Sequence, residues 1–299
     1  MSGPPYDTLD VPVTGGTLRV GRWSAGADAP VVLAVHGVTG NHRSWSVVAD
    51  GLDATVLAPD LRGRGHSQPV GGTGMDAHAA DLLAVLDRLE VDRAVLAGHS
   101  MGGFAVSRLA RLHPDRVAGV VLVDGGLPLP APPPATTAED ALAATIGPAA
   151  ERLSMTFASV EDYLDYWRPH PGLGPWWSPA VEEYLAYDLV GEPPALRSSV
   201  AVDAVREDSQ GLLDPDAASA DVRALPERTV FLHAERGLLD QPDGLYPHEL
   251  MVEHTGSFPD LDVRHVADVN HYTILLAEPG AGVVRDTITE VSGGRSAPA

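Results

Sequence analysis

Ala97-Gly98-His99-Ser100-Met101-Gly102-Gly103 follows an apolar run, Val95-Leu96-Ala97, and leads into the helical pattern Phe104-Ala105-Val106-Ser107-Arg108-Leu109-Ala110. A serine flanked two residues away on each side by glycine, between a strand and a helix, is the pattern of a sharp turn that presents a hydroxyl. The glycines matter because strand and helix can meet at such a turn only where no side chain stands between them. Ser100 is therefore the candidate covalent nucleophile. Gly and Ser are common in loops, so the weight of this pattern comes from what surrounds it.

Outward from the turn, short apolar runs alternate with helical patterns: Val31 to Val35, Thr55 to Ala58, Ala94 to Ala97 and Val117 to Val123, with an amphipathic helix over Met75 to Leu89. That alternation predicts an α/β fold with a mostly parallel central sheet covered by helices. Thr17 to Trp23 reads as an antiparallel edge strand. Thr229 to Leu232 and Val263 to Val266 resume the strand pattern, and Gly282 to Val291 closes the chain as a helix.

The intervening segment has another character. It holds Pro128, Pro130, Pro132, Pro133 and Pro134, then short helical stretches carrying Tyr163, Tyr166, Trp167, Trp176, Trp177, Tyr184 and Tyr187. Proline removes a ladder donor and restricts its predecessor, so the sheet does not continue here. The expectation is a helical cap over 128–220 inserted into a core made of 1–127 and 221–299. Packing inside the cap is the ordinary use of its aromatics, while Tyr163, Trp167, Trp176 and Tyr184 are the candidates for lining a pocket beneath it. The sequence has no internal repeat.

Among 299 residues, 41 acidic side chains stand against 20 basic ones, a formal charge of -21 that repels phosphate backbones and anionic membrane surfaces. Nucleic acid and membrane are thus not expected as partners. The absence of cysteine excludes disulfides and thiolate nucleophiles. Met1 to Asp7 lacks the basic segment and apolar run of a secretory signal, so a cytoplasmic location is the expectation. The small, polar residues from Ser292 to Ala299 read as a frayed tail.

The elbow, the strand order and the inserted cap together resemble the α/β-hydrolase superfamily, in particular its lid-bearing branch of esterases, epoxide hydrolases, haloalkane dehalogenases and carbon–carbon hydrolases. The resemblance extends over nearly the whole chain. It is most specific at Gly98-His99-Ser100-Met101-Gly102, at His36-Gly37-Val38-Thr39-Gly40 directly after a strand, and at Asn270-His271-Tyr272. Asp60-Leu61-Arg62-Gly63-Arg64-Gly65-His66-Ser67 is similar to the glycine-rich loop after the second parallel strand of that family.

A serine at position 100 implies an acyl-enzyme, whereas an aspartate would imply the ester intermediate of dehalogenases and epoxide hydrolases. Serine needs a base, and the resemblance implies His271, which follows a late strand. His36 and His99 belong to strand-end motifs and are expected to orient loops; His233 and His265 read as packed or structural. The acid has more than one candidate. The family commonly places it a few residues after the strand that here is Thr229 to Leu232, yet the sequence there reads Ala234-Glu235-Arg236-Gly237. Asp124, at the end of Val117 to Val123, is the preferred acid by the other placement used in the superfamily; Glu235 is the alternative, with Asp240 and Asp268 behind it. The resemblance also implies an oxyanion hole from the backbone N–H groups of Val38 and Met101.

No phosphate-loop or dinucleotide-binding spacing is present, and no histidine pair has metalloprotease spacing, so neither a cofactor nor a metal is expected. The expected partner is a small-molecule substrate; nothing in the pattern bears on the oligomeric state. Ester hydrolysis is the most economical reaction. A lactone, an amide, a carbon–carbon bond next to a ketone, or acyl transfer would use the same intermediate, and a ligand-binding protein with a retired triad is the non-enzymatic alternative.

Overall fold

The computed structural model describes residues 3–69, 72–130, 140 and 148–293. Eleven strands occur among them: β1 (Tyr6–Val13), β2 (Gly16–Trp23), β3 (Val31–Val35), β4 (Thr55–Pro59), β5 (Gln68–Pro69), β6 (Ala94–His99), β7 (Val117–Val123), β8 (Leu189–Val190), β9 (Arg197–Ser198), β10 (Thr229–Arg236) and β11 (Asp262–Asn270). The main sheet runs β1-β2-β4-β3-β6-β7-β10-β11, with β5 pairing on β2 and β8-β9 forming a separate small hairpin. From β4 to β11 every neighbour is parallel; only β1, β2 and β5 enter antiparallel.

The parallel strands are apolar at successive positions because both faces are covered. Val32, Ala34, Val95, Ala97, Val121 and Val123 face one core, which contains Val284 and Ile288 of the closing helix. Their chain neighbours Leu33, Val35, Leu96, Val120 and Leu122 face the other, with Leu82, Leu86, Phe104 and Leu109. Those last four lie on α1 (Met75–Arg88) and α2 (Met101–Leu112). Each fully buried leucine or phenylalanine contributes about 1.5–3 kcal/mol by burial.

The insertion between β7 and β10 contributes α3 (Val160–Trp167), α4 (Pro179–Tyr187), α5 (Val202–Leu212) and α6 (Pro215–Arg223), which form a cap-like region. Their starts are written locally. Ser159, Ser178 and Asp214 accept from the N–H groups of Asp162, Val181 and Ala217, and Pro179 and Pro215 occupy the first helical turn. These helices rest on the loops after β3 and β4: Asn41 Nδ2 donates to Tyr184 O at 3.1 Å, and Ala201 N donates to Gly63 O at 2.8 Å. After the insertion follow α7 (His248–Ser257) and α8 (Gly280–Val291).

The expectation for Thr17 to Trp23 needs correction. β2 is an interior strand between β1 and β4, and the edge is β1, half of whose residues are exposed. The strand predicted to stop at Leu232 continues to Arg236, which puts Glu235 inside β10. Pro132, Pro133, Pro134 and the tail from 294 lie outside the described residues.

Candidate active site

Parallel neighbours end along one edge of the sheet, so β3, β6, β7 and β11 deliver His36-Gly37-Val38, Ser100, Asp124 and His271 to the same rim. Strand order reverses between β3 and β6, which opens the crevice there. Ser100 occupies φ 54° and ψ -125°, a region disfavoured for residues with a Cβ. The turn is held because Ser100 N donates to Val123 O at 3.0 Å and Gly103 N to Ser100 O at 2.9 Å. A Cβ at Gly102 would collide with the Val35 and His36 carbonyls, and one at Gly98 with the Gly102 carbonyl, so both glycines of the pattern answer to close backbone approach.

His271 Nδ1 donates to Asp124 Oδ2 at 2.6 Å. Asp124 is fully buried and its other oxygen accepts from Ala234 N at 3.1 Å, so the carboxylate is fixed between the ends of β7 and β10. An ionised carboxylate only accepts; Nδ1 therefore carries the hydrogen and Nε2 presents its lone pair. Ser100 and His271 line one cavity without a hydrogen bond between Oγ and Nε2. The other acid candidates lie elsewhere. Glu235 is exposed and accepts from Asp268 N at 2.6 Å, while Asp240 pairs with Arg236 at 3.1 Å and accepts from Asn270 Nδ2 at 2.9 Å.

The loop after β3 reaches the serine. A Cβ on Gly37 would stand 3.3 Å from Ser100 Oγ, so only glycine leaves room for a substrate carbonyl to approach. No acceptor among the described residues takes the N–H of Val38 or of Met101. Two free donors beside a candidate nucleophile suit a developing oxyanion.

The cavity, of about 70 Å³, is lined by loop residues 37–40 and by Phe104, Leu212, Leu238, Leu245, Leu275 and Leu276, together with Ser44, Ser100 and His271. No charged side chain is among its described lining residues. Of the four cap aromatics singled out in the sequence, Tyr184 lines this cavity, and Tyr163 and Trp167 line a smaller neighbouring one with Arg152 and Asp188. Trp176 lines neither, because it sits in a half-exposed turn before α4.

Residues 30–276 match the alpha/beta hydrolase fold family. The chain belongs to that family. It is 38% identical to the lipase LipV of Mycobacterium tuberculosis over 113 residues, which are 38% of this chain and 43% of that protein. The chain spans about two fifths of the length of the curated relatives it matches first. Among solved structures it is similar to E-2-(acetamidomethylene)succinate hydrolase, with a TM-score of 0.76 and 22% identity over 97% of this chain and 100% of the other. It is also similar to the thioesterase domain from the curacin biosynthetic pathway, with a TM-score of 0.73 and 19% identity over 95% and 99% of the two chains. At those identities the likeness is one of fold. No helix among the described residues of this α/β hydrolase is long and apolar enough to cross a membrane.

Three residues within the sequence motifs have contacts at this rim that the motifs themselves do not spell out. Asn270 Oδ1 accepts from the N–H groups of Tyr272 and Thr273, both at 3.0 Å, and so shapes the turn that carries His271. His99 Nε2 donates to the His271 carbonyl at 2.8 Å and pins it from the other side. Asp60, fully buried, accepts from His42 Nδ1 at 2.8 Å and from Tyr187 OH at 2.8 Å, joining the glycine-rich loop to α4.

Burial pushes His36 and His170 down to about 4, and His99 well below its ordinary value. His36 has a second reason to stay neutral: its Nε2 accepts from Leu61 N at 2.9 Å while Nδ1 donates to Gly37 O at 2.7 Å. Above pH ~6.5 these rings are neutral in both folded and unfolded chains. Below it the unfolded chain takes up the protons first, so stability falls as the pH drops from ~6.5 toward ~4. Urea unfolding should therefore show a lower midpoint at pH ~5 than at pH ~7.5, with the unfolding free energy reduced by on the order of 1–2 kcal/mol for each of His36 and His170. An equal or higher midpoint at the lower pH would contradict the assignment.

Proposed function

We propose that this α/β hydrolase is a lid-bearing serine hydrolase that cleaves carboxylic esters of small, uncharged acyl groups through an acyl-enzyme on Ser100. The observation that carries the reading is the 2.6 Å bond from His271 Nδ1 to a buried Asp124, beside a serine held at positive φ in the same cavity. In this reading 128–220 is the lid and 1–127 with 221–299 the catalytic core. The name of the lipase relative fits the same acyl chemistry.

Ser100 Oγ attacks the ester carbonyl while His271 Nε2 takes its proton, and the carbonyl oxygen becomes an oxyanion facing the N–H groups of Val38 and Met101. Collapse breaks the carbon–oxygen bond of the ester, and His271 returns the proton to the departing alcohol. Water then gives a proton to His271 and adds to the acyl carbon; Ser100 leaves with that proton and the carboxylic acid is released. Asp124 holds the ring and stabilises its cationic form at both steps.

Two measurements test this. A fluorophosphonate should label the wild-type protein on the peptide containing Ser100. Within a series of aryl esters of equal length, a neutral butyryl ester should exceed one ending in a carboxylate by about 100-fold in kcat/KM, because the described residues that line the cavity offer no charged partner to a buried anion. Preference for the carboxylate, or no labelling, would reject the reading.

A further inference from the structure

The three successive carbonyls of the loop facing Ser100 are each taken by a buried side chain. Gly37 O accepts from His36 Nδ1 at 2.7 Å, Val38 O from Arg64 Nε at 2.9 Å, and Thr39 O from Arg152 Nη2 at 2.9 Å. With these carbonyls engaged, and Gly40 N donating to Gly37 O at 3.0 Å, the Val38 N–H is left without an acceptor among the described residues beside the cavity. Both arginines are buried, and each is paired with an aspartate of the insertion: Arg64 with Asp208 of α5 at 2.6 Å, and Arg152 with Asp188, just after α4, at 3.3 Å. Asp208 also accepts from Gly74 N at 2.6 Å and His78 Nε2 at 3.0 Å; Asp188 accepts from Tyr163 OH at 2.6 Å and from Ser198 and Ser199.

A buried ion pair adds little to stability compared with apolar residues of the same volume, so two of them ending on consecutive peptides of one loop invite a functional account. Arginine suits the task because its rigid fork can donate to a carbonyl through one nitrogen while another lies against a carboxylate. Lysine would have to serve both from a single nitrogen.

We propose that Arg64 and Arg152, each held by an aspartate of the cap-like region, are positioning residues that fix the 37–39 peptides so that the Val38 N–H stays aimed at the oxyanion. Seating of the cap-like helices and readiness of the oxyanion hole are thereby one event. The proposal rests on the hydrolase reading above and deepens it.

The test uses Arg64→Lys and Asp208→Asn in the full chain, with kcat counted per serine titrated by fluorophosphonate so that only folded, armed sites enter. Each substitution should lower kcat on a neutral butyryl ester by about 10- to 100-fold and leave KM within about twofold, below the full loss of an oxyanion donor. The Ki of a trifluoromethyl ketone, which adds to the serine and places an oxyanion in the same hole, should rise by the factor by which kcat/KM falls. Arg152→Lys repeats the test at the second pair should either of the first two variants not fold. A lowered Tm with wild-type kcat per titrated serine would overturn the proposal, as would a loss in which KM rises as much as kcat falls. Wild-type protein that no fluorophosphonate labels would instead reject the hydrolase reading itself.

Discussion

Ser100→Ala should lower ester turnover by about 10⁴-fold or more and abolish fluorophosphonate labelling, while cooperative unfolding is retained. The change removes one oxygen and leaves the turn intact, because the bonds that hold it, from Ser100 N to Val123 O and from Gly103 N to Ser100 O, are backbone bonds. Alanine meets the same positive-φ penalty as serine at φ 54°, so stability should move little. Peptide identification matters here because Ser44 lines the same cavity. Label on Ser44 in wild type, or retained turnover in Ser100→Ala, would transfer the nucleophile elsewhere. His271→Ala should fall nearly as far, since the serine and its base act as a unit and neither is of use without the other.

The parts of this fold that could be read from sequence are those in which local pattern and tertiary need coincide. β3, β6 and β7 announce themselves as continuous apolar runs because helices cover both faces of the sheet. The elbow is legible because backbone contact at Gly98 and Gly102 leaves no other residue type. β1 escapes the same reading: Asp7, Asp10 and Pro12 interrupt it, it pairs only with β2, and its exposed edge asks for no apolar pattern. Glu235 is an acid candidate in the sequence because Thr229 to Leu232 reads as the whole strand; β10 runs on to Arg236, and the Glu235 carboxylate accepts from Asp268 N at 2.6 Å.

Arg64, Arg152, Asp188 and Asp208 illustrate the other limit. Charged residues in a glycine-rich loop and on short amphipathic helices read as solvated faces, and nothing local marks them for burial. Their meaning resides in who meets whom across the insertion. The same holds for Asp60 and Tyr187, which meet at 2.8 Å only because α4 lies over the loop after β4. Insertions build sites from such distant pairs, so the core's chemistry can be legible from strand-end motifs while the control that the cap-like helices exert on it is not.

Asp124→Asn should cost about 10⁴-fold in kcat, whereas Glu235→Gln should stay within about threefold of wild type. In the native site Asp124 accepts twice, from His271 Nδ1 at 2.6 Å and from Ala234 N at 3.1 Å. Asparagine has one accepting oxygen. If that oxygen keeps the Ala234 N–H, the amide nitrogen turns to His271 and donates to Nδ1, which moves the ring hydrogen to Nε2 and leaves no lone pair for the serine proton. If the oxygen turns to His271, the amide donors oppose the Ala234 N–H in a fully buried place, and no charge remains to stabilise the imidazolium. Either arrangement disables the base while the shape of the side chain is conserved. Glu235 stands in a different setting, exposed and accepting from Asp268 N at 2.6 Å, a bond that the glutamine oxygen can keep. Single-turnover acylation measured at saturating ester separates the two variants without interference from product release. A large loss in Glu235→Gln beside a mild one in Asp124→Asn would reverse the assignment and make the strand-end aspartate a former of the turn it occupies.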